Sequence, residues 1–245
     1  MRYDDFVDAV EREAGRIGEA ANRGAMTDPS PTCPAFTKRE LVGHIGEFYG
    51  FWSHLICEGR GVEKTAYSEL EDQDPSEWLS ELGNLFVEQF RATTGEQAMW
   101  TWNEADQTVG FAARRACHEL SIHRVDLELV SGPSSAVESS VAADGIDEVM
   151  FLANHGAAMG FGAFGSGETM HLHGTDVDDA EWMVHLDPDR VTATHEHGKG
   201  DLAIRATVSD LEMLLYQRPI LGEVEYFGNK EVLATFHNAF TFNDE

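Results

Sequence analysis

Glu119 and His123 stand four residues apart in the run His118-Glu119-Leu120-Ser121-Ile122-His123. On a helix this spacing puts both side chains on one face with Cβ atoms about 6 Å apart, so that both reach a single ion. The best-placed third donor is His44, in the apolar segment Leu41-Val42-Gly43-His44-Ile45-Gly46, because facing helices of a bundle assemble metal sites from inward imidazoles and carboxylates. Two neutral imidazoles and one carboxylate form a zinc donor set that leaves a fourth position open, as in catalytic sites. Nickel and iron accept the same ligand types. On spacing alone a plainer account stays open: a helix-surface pair worth roughly a few tenths of a kcal/mol, with His44 a hydrogen-bonded core residue. The run is one residue longer than the His-Glu-x-x-His helix of metalloproteases, which disfavours a zinc protease.

Other reactive side chains offer less. Asp126, three residues past His123, is placed to orient a ligand, to bind a polar group of a cosubstrate, or to lie on a solvated helix face. Cys33, Cys57 and Cys117 are odd in number and have no Cys-x-x-Cys spacing, so a disulfide framework and a cysteine-only zinc site are excluded. Cys33 and Cys117 have no partnered base nearby and read as small buried residues. His171, His173, His185, His195 and His197 crowd one region. Residues two apart on a strand need a third partner to hold a metal, and the sequence names none, so these read as strand residues.

The elements that position these residues follow from periodicity and punctuation. Phe6, Val10, Ile17 and Ala21 predict an amphipathic helix over residues 3–23. Thr37-Lys38-Arg39-Glu40 is a capping box that opens a second helix through about Cys57. Asp74-Pro75-Ser76-Glu77 starts a third helix, with Trp78, Leu82, Leu85, Phe86 and Phe90 as its expected buried stripe. A fourth runs from about Thr108 to Val130, before Ser131-Gly132-Pro133, and a fifth from about Ala142 to His155. The glycine-rich stretch Gly156 to Gly167 lacks the ending of a phosphate loop and follows no strand, so it reads as a hinge or linker. Beyond it, residues 170–208 alternate at a period of two. A helix from Ser209 to Gln217, a strand near Val224 to Phe227 and a last helix from Lys230 to Phe240 complete the chain. Helices first and strands later predict two domains: a four-helix bundle over residues 1–160 and a small α+β domain over 166–245.

The balance of 17 Lys and Arg against 44 Asp and Glu, net charge -27, repels a phosphate backbone, so nucleic acid is not an expected partner. No apolar run approaches the roughly 20 residues needed to span a bilayer. The N-terminus begins as an acidic amphipathic segment instead of a signal peptide, so no membrane association and a cytoplasmic location are expected.

Two segments, Thr32-Cys33-Pro34-Ala35-Phe36-Thr37 through His44 and His118 through Asp126, resemble the signatures of the mycothiol-dependent maleylpyruvate isomerase family, a branch of the DinB-like metal-binding bundles. Leu172-His173-Gly174-Thr175-Asp176 with Glu181-Trp182, and Ser209-Asp210-Leu211 with Tyr216-Gln217-Arg218, are similar to that family's sterol-carrier-like C-terminal domain. The resemblance implies zinc on His44, Glu119 and His123, with mycothiol as thiol cosubstrate. A thiol docked at the open position becomes a thiolate. Its addition to the cis double bond of maleylpyruvate leaves a single bond free to rotate, and elimination returns the trans isomer and the thiol. A thiol S-transferase acting on electrophiles and a non-catalytic metal- or ligand-binding module remain alternatives. Arg218, which matches a family arginine, is the expected cation for a dicarboxylate substrate, with Arg114 and Arg115 behind it and helix capping as its other role. The expected partners are therefore a small thiol and a small organic substrate, with the protein a monomer or homodimer. Phe36 and Ala35 depart from the family's Trp and Gly and bear on substrate contacts.

Overall fold

The start signals expected of the helices are built as hydrogen bonds in the computed structural model, which describes residues 1–58, 74–158 and 165–239. Helix α1 spans Tyr3–Ala21, α2 Lys38–Glu58, α3 Pro75–Arg91, α4 Val109–Ser131 and α5 Ser139–Ala158. Ahead of α2 the Thr37 backbone N–H donates to Glu40 Oε2 at 2.6 Å, as a capping box requires. The Asp74 carboxylate accepts from the backbone of Ser76 and Glu77 with Pro75 at the first helical position, and the Thr108 hydroxyl accepts from Phe111 N–H at the start of α4.

The chain divides into two compact units, Met1–Ser135 and Ala136–Glu245. In the first, α1 packs on α3 and α4, and α2 packs on the same two helices. The bundle is therefore α1 to α4, and the division falls well before the expected residue 160. Helix α5 packs on elements of the second unit because its apolar residues Val141, Ile146 and Val149 are needed there as core. Residues 159–164 of the glycine-rich stretch, read as a hinge, lie outside the described residues, as does Phe240 at the expected end of the last helix.

The stripe on α3 is partly different from the one expected. Trp78, Phe86 and Phe90 are buried, but Leu85 is 55 % exposed and Gly83 and Val87 lie inward instead. At 100° per residue Leu85 stands on the side opposite Gly83, and Gly83 faces the core because a Cβ there would already lie 3.4 Å from the Tyr49 hydroxyl. Close approach also governs Gly46 on α2, two residues past His44 and on the opposite side of the helix: a Cβ at that position would overlap the Trp78 ring. Gly46→Ala should therefore destabilise the protein by about 1–3 kcal/mol, net of the helix-propensity gain of about 1 kcal/mol. Thermal unfolding checks this, and an unchanged melting temperature would mean that α2 and α3 separate without cost.

The second unit carries strands β1 (Glu168–Gly174), β2 (Glu181–Leu186), β3 (Val191–Thr194), β4 (Leu202–Ala206) and β5 (Glu225–Gly228), with helices α6 (Val208–Leu215) and α7 (Glu231–Ala239). The sheet order is β3-β2-β1-β4-β5. β1 and β4 run parallel and the other pairs antiparallel. Period-two alternation sends Met170, Leu172, Trp182, Val184 and Ile204 into the core, where all five are essentially inaccessible. The intervening residues His171, His173, Glu181 and Met183 share the other face. The architecture is thus a helical unit followed by an α+β unit with a mixed sheet.

Candidate metal centre

Helix α2 presents His44 and α4 presents Glu119 and His123 at one point. His123 Nε2 lies 3.1 Å from Glu119 Oε1 and 3.2 Å from His44 Nε2, and the remaining side, His44 Nε2 to Glu119 Oε1, is 3.5 Å. An ion bound tetrahedrally at 2.0–2.1 Å from N and O donors holds them about 3.3–3.4 Å apart, so the triangle fits a zinc-sized ion. The three residues selected by spacing are therefore brought together.

Protonation logic sharpens the fit. His123 Nδ1 lies 3.1 Å from Asp126 Oδ2. An ionised carboxylate only accepts, so Nδ1 carries the proton and Nε2 of the neutral ring bears a lone pair. That lone pair points at Glu119 Oε1, another acceptor, and the pair is held together by a cation at the centre or by a second proton on the ring. The other carboxylate oxygen of Glu119 is paired with the Arg115 guanidinium, leaving Oε1 as the single free donor.

Asp126 is not on a solvated face. Its side chain is completely buried, and it accepts from the Thr32 hydroxyl at 2.6 Å and the Cys33 thiol at 3.5 Å as well as from His123. The loop before α2 thus folds over α4 and fixes the carboxylate that fixes the imidazole. Asp126 accordingly has no surface for a cosubstrate, and its position suits orientation of His123. Replacing it, Asp126→Asn, should weaken metal affinity about 10–100-fold, read by competition with a chromophoric chelator. Unchanged affinity would remove its positioning role. The Thr32 contact is the functional interaction that spacing missed. It spans 94 residues of sequence, and no local pattern reports it.

Access differs among the ligands. His44 is 30 % exposed, Glu119 16 % and His123 6 %, so the triad is buried on the α4 side and open on the His44 side. Phe36 stands against the His44 ring with centroids 5.8 Å apart, placing this departure from the family pattern at the open edge. His118 is fully buried against Phe6 and takes no part in the triad. Cys33 and Cys117 are buried, as expected of small core residues. Arg218 lies in the second unit, 8 % exposed, where its guanidinium donates to the Tyr216 carbonyl at 2.9 Å at the C-terminal end of α6. That bond is of the kind the capping role requires.

A helical unit gathering two imidazoles and a carboxylate, followed by an α+β unit, defines a candidate metal-binding protein of the two-unit bundle class. Residues 7–128 match the mycothiol maleylpyruvate isomerase N-terminal domain, so the first unit carries that domain. Among solved structures it is similar to the mycothiol-dependent maleylpyruvate isomerase, with a TM-score of 0.60 at 11% identity over 92% of this chain and 93% of that one. It is similar also to a histidine-to-alanine variant of the isomerase, with a TM-score of 0.59 at 11% identity over 89% and 90%. At this identity the likeness establishes the fold. No curated protein sequence gives a significant match. Among the described residues no helix is long and apolar enough to cross a membrane.

Proposed function

We propose that this protein binds zinc at His44, Glu119 and His123 and uses it with mycothiol to isomerise maleylpyruvate or a related cis-enoyl dicarboxylate. The observation that carries the reading is the triangle of donor atoms with sides of 3.1, 3.2 and 3.5 Å, closed on one side and open on the other. Zinc there supplies a Lewis acid that holds a thiol in its deprotonated, nucleophilic form at neutral pH. Asp126 keeps the His123 Nδ1 proton in place so that Nε2 stays a donor, and Arg115 restrains Glu119 to one free oxygen. Phe36, at the His44 edge, limits what enters.

The test is zinc content and thiol-dependent conversion of maleylpyruvate to its trans isomer, in wild type and in His44→Ala. The reading expects about one zinc at this site and turnover that needs both metal and thiol, each lost in the variant. Thiol conjugation to an electrophile without isomerisation replaces it with an S-transferase of the same centre. Zinc whose environment ignores added thiol replaces it with a non-catalytic module. Turnover retained without His44 overturns it.

A further inference from the structure

Three histidines of the second unit converge on one carboxylate. His171 and His173 lie two apart on β1 and so share a face, and His173 is the direct cross-strand partner of Glu181 on β2. The missing third partner for these histidines is therefore supplied by strand pairing. His173 Nδ1 lies 2.8 Å from Glu181 Oε1, and His171 Nε2 lies 3.3 Å from Oε2. The segment after β3 folds back to put His197 Nδ1 2.8 Å from the same Oε2, with its ring edge-on to His171 at 5.2 Å.

This is a metal donor set by type and by arrangement. The ligand atoms of His171, Glu181 and His197 all lie within 4.8 Å of one another, and His173, bonded to the other carboxylate oxygen, orients Glu181. Imidazole with carboxylate suits borderline divalent ions such as zinc, nickel and copper better than calcium or magnesium. His171 is 6 % exposed, Glu181 21 % and His197 79 %, so the base is rigid on two paired strands and the top opens to solvent. The neighbouring cation Arg205 is paired with Glu225 at 2.6 Å, which balances its charge beside an incoming ion.

We propose that His171, His197 and Glu181 form a second divalent transition-metal site, oriented by His173, with zinc the ion of first choice, separate from the centre on α2 and α4. It shares no ligand with that centre and does not depend on it.

The full-length chain carrying both His44→Ala and His123→Ala isolates this site. Dialysed against zinc alone, that variant should retain about one equivalent, and cobalt(II) should give the visible bands of a low-coordinate N/O site. Adding His197→Ala, a change at an exposed side chain, should weaken zinc binding about tenfold or more, and Glu181→Gln should abolish it, with the far-ultraviolet circular dichroism unchanged. His185→Ala, on the same sheet face, should leave binding as it was. The site is overturned if the double variant holds no zinc, or if binding survives loss of both Glu181 and His197. If the bundle centre itself takes no metal, the wild type should still bind one ion that these two substitutions remove and His44→Ala does not.

Discussion

His123→Ala is expected to abolish zinc retention by the bundle centre while leaving the chain folded. The substitution removes one of three mutually adjacent ligands, 3.1 and 3.2 Å from the other two, so the loss should exceed the roughly 100-fold expected from a supporting residue such as Asp126. It also takes from the buried Asp126 its imidazole partner, an added cost of about 1–3 kcal/mol. Unfolding measured with and without zinc separates the two effects. A ligand bound only by the folded form raises stability by about 2.7 kcal/mol at a concentration 100 times its dissociation constant. Wild type should show such a shift from this centre, and the variant only what the second unit contributes. A full wild-type shift in the variant would show that His123 is no ligand.

Arg124→Met is expected to destabilise the first unit by about 3–5 kcal/mol. The guanidinium is fully buried between α1 and α4, with Nε 2.8 Å from Glu13 and Nη1 3.0 Å from Glu128. Removing it leaves two largely buried carboxylates sharing Arg16, which reaches them at 3.3 and 3.4 Å. Burial works against ionisation of Glu128, but Arg124 and the Ser135 backbone N–H outweigh it and hold its carboxyl below the usual range. A carboxylate depressed in the folded state contributes stability that is complete above its unfolded value and lost as pH falls through the folded one. Acid should therefore weaken the wild type more steeply than Arg124→Met. Urea unfolding at neutral and mildly acidic pH reads both quantities, and a loss under about 1 kcal/mol at neutral pH would mean that the network contributes little.

The parts of this structure legible in the sequence are those written locally. Caps at Thr37 and Asp74 and the spacing of Glu119 and His123 mark two of the helices and two of the ligands, because hydrogen bonds and side-chain faces within a helix depend on neighbours three or four residues away. What escaped depends on pairing at a distance. Asp126 reads as a surface residue until Thr32 is known to lie over it. Leu85 reads as core until Gly83 is seen to meet Tyr49. Alternation shows that His171 and His173 share a face, but only the register with β2 brings Glu181 opposite them. The helix Ser139–Ala158 has the same periodicity as its predecessors, and nothing in that pattern says which unit it will serve.

The His44–His123 contact joins residues 79 positions apart. An ion gripping both in the folded chain would be a removable clasp across that separation, stabilising the bundle in proportion to the logarithm of the metal supply. Metal supply would then set how long the bundle survives as well as whether its centre can act, and a chelator would shorten the lifetime of the protein before it altered any contact visible in the fold.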